Sequence, residues 1–369
     1  MRIFHTSDLH LGMKFAGYPE VQAKLTEARF ETLKNLVSLA NDNNCELFVV
    51  AGDLFNQAKM AKKDIVRAVQ ALKEFEGRLV AVLPGNHDFK TGLQDDLWSH
   101  FCEGGGDNIL LLEKEEPYHL VAYDLNAVLY PAPCTSKHSG ENKVGWIAQT
   151  EKDRSIVHHI GVAHGSLAGF SPDFEGRYYP MTEADLHAAG VDLWLLGHTH
   201  VRYPVAPGAA DRIFYPGTPE PDGFDCDHGG TAWILEAADD RKITAKPVSC
   251  GIYSFRHEDL EVTTMSDMSA LKQRYEQDES GKVLLKVRLR GSLAKEDFPG
   301  LQEVRKALKE RLLYLEWDSD EVSEQITKDV INAEFTEGSF PHRLLMGLAE
   351  TEDHEALQLA YALIGEAKE

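Results

Sequence analysis

The chain opens Arg2-Ile-Phe-His-Thr-Ser-Asp8-Leu-His10. The short apolar run Ile3-Phe4 reads as a buried strand, and it leads straight into a carboxylate and an imidazole spaced i, i+2. Residues two apart on a strand point to the same side, so Asp8 and His10 could reach one metal ion from the strand's carboxyl end. Alone, an Asp-x-His triplet is common and decides little. Four further clusters of ligand-type residues follow, each at the end of a predicted strand, and together they decide the fold.

Residues 20–42 carry Val21, Leu25, Phe30, Leu33, Leu36, Val37 and Ala40 at helical spacing. Glu46–Ala51 is a continuous apolar run, the mark of a strand covered on both faces, and it ends in Gly52-Asp53. A second helix over about 61–75 and a strand over 79–83 lead into Pro84-Gly85-Asn86-His87-Asp88. This β-α-β-α-β alternation predicts a layered α/β domain with its site at the carboxyl ends of the strands. The middle reads as strands over 109–112, 118–123 and 127–130, a helix near 142–150, and a strand over 156–163 ending at His164-Gly165. After a loop with Gly169, Pro172 and Gly176, the strand 193–196 closes on Gly197-His198-Thr199-His200. Strands near 212–216, 231–236 and 243–249 complete a first domain, 1–250. Residues 251–330 read as a small α+β domain, and 331–369 as a segment with two helices near 340–349 and 353–365.

The length of 369 residues suits more than one domain, and 43% hydrophobic content is that of a globular protein. No stretch approaches the roughly 20 apolar residues of a membrane span, and no basic-then-apolar leader opens the chain. The five cysteines lie far apart and make no Cys-x-x-Cys pair, so a disulfide framework and a structural zinc site are not expected. A cytoplasmic protein is the expectation. A net charge of −22 argues against a generally basic nucleic-acid binder. It leaves room for one whose positive charge is bound metal.

Collected, the strand-end groups are Asp8, His10, Asp53, Asn86, His164, His198 and His200, with His87 beside Asn86. Each has an ordinary structural explanation by itself, as a turn, a helix cap or a core histidine. Seven oxygen and nitrogen donors are too many for one ion and suit two ions that share a carboxylate. Asp53, alone after its strand, is the natural bridge. Two such ions about 3.5–4 Å apart acidify a water and clamp both oxygens of an in-line phosphoryl displacement. With no thiolate and one amide oxygen, the set suits Mn²⁺ or Fe²⁺, with Zn²⁺ also compatible and Mg²⁺ less so.

This order of motifs, Asp8-x-His10, Gly52-Asp53, Gly85-Asn86-His87-Asp88, His164 and Gly197-His198-x-His200, resembles the calcineurin-like metallophosphoesterase superfamily over about residues 1–250. The openings His5–Gly12 and Gly52-Asp-Leu-Phe55, and the segment Tyr215–Phe224, resemble its SbcD-type DNA-repair exonucleases. The resemblance implies a four-layer αββα sandwich with a small C-terminal α+β capping domain. It implies a first ion held by Asp8, His10, Asp53 and His200, and a second by Asp53, Asn86, His164 and His198. It makes His87 the group that contacts the scissile phosphate and protonates the leaving 3′ oxygen. A general acid beside two cations needs a compensating acceptor, and Asp88 is the nearest carboxylate by sequence.

One departure is Asn56, where some nucleases of the group place a second active-site histidine. DNA is then the implied substrate and an SMC-like ATPase an implied partner, docked through Leu344, Leu345, Leu348, Leu357, Leu359 and Leu363; a homodimer is also open. Two other readings stand beside the DNA nuclease: a phosphodiesterase for nucleotides or lipid-linked substrates, which the acidic charge favours, and a non-catalytic scaffold of an ATPase complex, which the intact ligand set disfavours.

Overall fold

The computed structural model describes residues 1–90, 92, 96–276, 281–351 and 353–367. The chain divides into two compact units, Met1–Phe255 and Arg256–Glu369.

The first half of the first unit runs β1 (Arg2–Thr6), α1 (Gln22–Asp42), β2 (Leu47–Ala51), α2 (Lys62–Lys73), β3 (Leu79–Leu83), α3 (Asp96–Gly105) and β4 (Ile109–Leu111). Its second half runs β5 (Tyr118–His119), β6 (Ala127–Ala132), α4 (Gly145–Gln149), β7 (His158–His164), α5 (Glu183–Ala188), β8 (Leu193–Gly197) and β9 (Ile213–Phe214). Two more strands, β10 (Thr231–Ala237) and β11 (Ile243–Ser249), return to the first sheet. That sheet has the order β11-β10-β1-β2-β3-β4, and the second β5-β6-β7-β8-β9. Strands β1 to β4 are mutually parallel, as are β6 to β9.

Alternation along the strands builds four layers. Phe4, Phe48, Val50, Val80 and Val82 turn outward onto Leu33, Leu36 and Val37 of α1, Ile65 and Val69 of α2, and Trp98 and Phe101 of α3. Their neighbours Ile3, Leu47, Val49, Leu79 and Ala81 turn inward, against Leu129, Ile160, Val162, Leu193 and Leu195 of the second sheet. The far face of the second sheet, with Tyr130, Ala163 and Leu196, packs on Ile147 of α4 and Leu186 of α5. This is the αββα sandwich. Parallel strands bring the carboxyl ends of β1, β2, β3, β7 and β8 to one edge, where His164 ends its strand and the other ligand residues follow theirs.

The sequence pattern did not foretell α3 or α5, and the predicted strand over 118–123 stops after two residues. It gives way to a 3₁₀ turn over Val121–Tyr123 because Asp124 takes a left-handed backbone, φ 57°, and reverses the chain.

In the second unit, β12 (Ser254–Val262), α6 (Met265–Arg274), β13 (Val283–Leu293), α7 (Phe298–Arg311) and β14 (Tyr314–Glu324) form a three-stranded sheet, order β12-β13-β14, with two helices. Leu285, Val287 and Leu289 of β13 face Leu271, Leu301 and Leu308 of those helices. The chain continues through α8 (Lys328–Glu334), α9 (Phe340–Leu348) and α10 (His354–Glu366). Ile326, Ile331, Phe335, Leu345 and Leu357 form a small core there, with Leu348 packed against it. Three of the six leucines expected on a docking face therefore pack within their own unit. Leu344, Leu359 and Leu363 are exposed, together with Phe340.

Candidate metal centre

Asp8 and His10 lie past the end of β1, so strand alternation does not aim them. Both take left-handed backbone, φ 55° and 46°, as do Asp53 at 53° and His198 at 101°. Such conformations are unfavourable for residues with a Cβ and gather at functional sites. The turns are held by main-chain bonds between the motifs: Asp8 N–H to Gly52 O, 3.1 Å, and His10 N–H to Asp53 O, 3.0 Å. Gly52, at φ +92°, lets the His164 ring lie directly against the backbone, and a Cβ there would collide with that ring.

The structure brings all seven predicted ligands together, in two sets. Around one point stand Asp8 Oδ1 and His200 Nε2, 3.7 Å apart, His200 Nε2 and His10 Nε2, 3.2 Å, and His10 Nε2 and Asp53 Oδ2, 3.7 Å. Around a second stand Asp53 Oδ2 and His164 Nε2, 3.3 Å apart, His164 Nε2 and Asn86 Oδ1, 3.0 Å, and Asn86 Oδ1 and His198 Nδ1, 3.2 Å. The same oxygen of Asp53 belongs to both sets. Its other oxygen accepts the His87 backbone N–H at 2.8 Å, which fixes the carboxylate's roll.

These distances test the fit of metal. Donors about 2.1 Å from a common ion stand about 3.0 Å apart on an octahedral edge and about 3.4 Å on a tetrahedral one. The observed separations fall in or close to that range. Two imidazole nitrogens facing each other, and others facing carboxylate and amide oxygens in a buried site, make an array of lone pairs that a cation satisfies. The residues present fit a pair of divalent ions.

Electrostatics agree. Burial raises the Asp53 carboxyl, but positive charge on the neighbouring rings, His164 foremost, outweighs it and holds the group ionised, below the usual carboxylate range. Burial lowers His164, but the Asp53 carboxylate lifts it to about 9, so the two form an ion pair whose positive charge a bound metal would replace. Burial, with the neighbouring His164, drives His198 down to about 3, so its ring keeps lone pairs across the physiological range. Asp8 is raised by burial, an effect that the imidazoles of His200 and His164 oppose.

His87 is partly exposed, and its ring stands edge-on to that of His10 with centroids 4.8 Å apart. The expectation of Asp88 as its compensating acceptor meets a different arrangement. His87 Nδ1 lies 3.1 Å from the carbonyl oxygen of Asn56. Asp88 is wholly buried, and its two carboxylate oxygens accept the N–H groups of Gly85, 2.7 Å, and Phe55, 2.9 Å. With both oxygens occupied by amides, Asp88 braces the turn that carries Asn86 and His87. Asn56 acts through its main chain, a contact that other side chains at this position would also allow.

Sequence reading missed the residues behind the ligands. Ser7 Oγ donates to Asp8 Oδ2 at 2.5 Å, His164 Nδ1 donates to Ala51 O at 2.8 Å, and Asp222 Oδ2 lies 3.1 Å from His200 Nδ1. Asp222 lies in the segment Tyr215–Phe224 that carries the resemblance, but nothing in the sequence ties it to His200; only the fold sets it behind that ring.

Among curated proteins, the chain is 27% identical over 228 residues to the uncharacterized metallophosphoesterase YhaO of Bacillus subtilis, covering 59% of this chain and 52% of that one. It is 25% identical over 238 residues to the DNA double-strand break repair protein Mre11 of Methanopyrus kandleri, covering 60% and 49%. To a subunit of the nuclease SbcCD of Bacillus subtilis it is 33% identical over 123 residues, covering 32% and 30%. The chain thus spans about half the length, or less, of these relatives. Residues 1–202, which carry every one of the paired ligands, match the calcineurin-like phosphoesterase family, and the chain belongs to that family of metal-dependent phosphoesterases.

Proposed function

We propose that this chain is a dinuclear, metal-dependent phosphodiesterase that cleaves DNA. The observation that carries the reading is the sharing of one Asp53 oxygen by two sets of donors, Asp8, His10 and His200 on one side and Asn86, His164 and His198 on the other. Two divalent ions held there, Mn²⁺ foremost, would polarise the phosphoryl oxygens and acidify a water. The chain's own contribution to proton transfer is His87. With Nδ1–H donated to the Asn56 carbonyl, its Nε2 is the nitrogen left for substrate. As the P–O bond breaks, Nε2–H gives its proton to the departing 3′ oxygen.

DNA, rather than a small phosphodiester, is supported by the rim of the site and by the relatives named for DNA repair and nuclease activity. The segments after His10 and Asp53 hold Lys14, Lys59, Lys62 and Lys63 before the first acids, Glu20 and Asp64, in a chain of net charge −22. All four are exposed, and none is in an ion pair among the described residues. The two stretches run side by side, with Asn56 N–H on Leu11 O at 3.0 Å and Met60 against Gly12. Unpaired lysines on the segments that lead away from the ligands His10 and Asp53 suit a strand whose phosphates continue past the scissile one.

The relative named as part of the SbcCD nuclease, and the exposed Phe340, Leu344, Leu359 and Leu363, support an SMC-like ATPase partner docked through residues 331–369. Among the described residues no helix is long and apolar enough to cross a membrane.

Elemental analysis after Mn²⁺ loading and gel filtration tests the dinuclear reading. The parent should retain two ions per chain and Asp53→Asn neither, because a neutral amide bridges cations poorly. One ion or none in the parent would overturn it.

A further inference from the structure

We infer that Asp222 is a positioning residue of the metal centre: it locks the His200 ring so that Nε2 serves the ion shared with Asp8, His10 and Asp53. The inference rests on the dinuclear reading above.

A neutral imidazole carries its proton on either nitrogen, and the tautomer is set by what the non-ligating nitrogen meets. Here Asp222 Oδ2 lies 3.1 Å from His200 Nδ1 and fixes the proton there. The Nε2 lone pair is left among the ligand atoms, 3.2 Å from His10 Nε2 and 3.7 Å from Asp8 Oδ1. The same Asp222 oxygen stands 3.8 Å from the guanidinium of Arg29, which is buried on α1. Arg29 also donates to the carbonyl of Leu9 at 2.7 Å, and Leu9 lies between the two ligands Asp8 and His10. One guanidinium therefore ties the carboxylate behind His200 to the turn that presents the other ligands of that ion.

The loop that supplies Asp222 grips the same half of the centre through its backbone. Thr218 N–H donates to His200 O at 3.2 Å, and Thr218 Oγ1 donates to Asp8 O at 3.0 Å. Gly217, at φ +75°, permits this approach, since a Cβ would stand 3.0 Å from His200 O. Glu220 anchors the loop: its carboxylate accepts from Thr32 Oγ1 on α1 at 2.6 Å and from the amides of Ile252 and Tyr253 at 2.7 and 2.9 Å. The other half is built differently. His164 Nδ1 rests on the neutral carbonyl of Ala51 at 2.8 Å. A carboxylate behind an imidazole makes it a more basic and better oriented ligand than a carbonyl does. Loss of Asp222 should therefore fall on one ion and spare the other, which a general loosening of the fold would not do.

The test is calorimetric titration of the metal-free full chain with Mn²⁺, for the parent, Asp222→Ala and Asp222→Asn. In Asp222→Ala one site should weaken about 10–100-fold, the usual cost of losing such a partner, while the other stays within about threefold. Asp222→Asn keeps an acceptor oxygen without the charge and should fall between. Thermal melts of the metal-free proteins check folding, and the near-isosteric Asn variant carries the test if the Ala variant melts early. Unchanged affinity at both sites, or equal loss at both, overturns the inference. A parent that binds a single ion overturns the dinuclear reading instead, and Asp222 is then judged by whether that ion's affinity falls in the variants.

Discussion

His5 provides a stability prediction whose size follows from the fold. It lies on β1, two residues from Ile3 and on the same side, and is wholly buried. Burial depresses its pKa from an ordinary 6.5 to about 3. The unfolded chain therefore binds a proton that the folded chain refuses throughout that window. For a base whose folded pKa is lowered, stability is complete above the unfolded value and drains away as pH falls below it. From those two pKa values the loss between pH 7 and pH 5 is about 2 kcal/mol, and it grows until pH nears the folded value. His5→Leu removes the titration at similar volume. Urea unfolding of the metal-free parent and variant at both pH values gives the difference directly, because other titrating groups are common to both. The parent should lose about 2 kcal/mol more than His5→Leu on acidification. Equal losses, within about 0.5 kcal/mol, would refute the account of His5 as a buried neutral base.

Other outcomes follow from the site. His87→Ala should keep both Mn²⁺ ions and lose about 10²–10⁴-fold in kcat, measured on labelled oligonucleotide; loss of an ion would make His87 a ligand instead. Replacing Lys14, Lys59 and Lys62 by Gln should lower the slope of log affinity against log salt by about 0.7 to 0.9 per lysine, in filter binding with single-stranded or duplex DNA. Hydrolysis of bis(p-nitrophenyl) phosphate by the same variant should be unchanged, and a fall there would mean the lysines support the fold.

Much of this was legible because the parallel strands are apolar on both faces. Leu47–Ala51, Leu79–Leu83 and Leu193–Gly197 show as unbroken runs, and polar residues at their ends stand out against them. The way the ligands converge was not legible. Asp8 and His10 have the spacing of one strand face, but left-handed turns aim them, and a backbone angle leaves little trace in residue type unless the residue is glycine. Asp88 looked catalytic for its position beside His87, whereas its carboxylate turns inward to amides 3 and 33 residues away in sequence. Asp222 escaped notice for the opposite reason, since its partners His200 and Arg29 come from distant segments. At the other end of the chain, leucine spacing on α9 and α10 could not separate inward Leu345 and Leu357 from outward Leu344, Leu359 and Leu363, since both short helices carry apolar residues on more than one face.

Incubation of the Mn²⁺-loaded full chain with end-labelled single- and double-stranded DNA, beside bis(p-nitrophenyl) phosphate as a generic phosphodiester, separates a nuclease from a general phosphoesterase. The expected result is cleavage of DNA that chelation abolishes, with kcat/KM at least about tenfold above that for the small ester, since only DNA engages the lysine rim. Hydrolysis of the ester with DNA left intact would contradict a nucleic-acid substrate, and no hydrolysis of either by metal-replete protein would contradict catalysis itself.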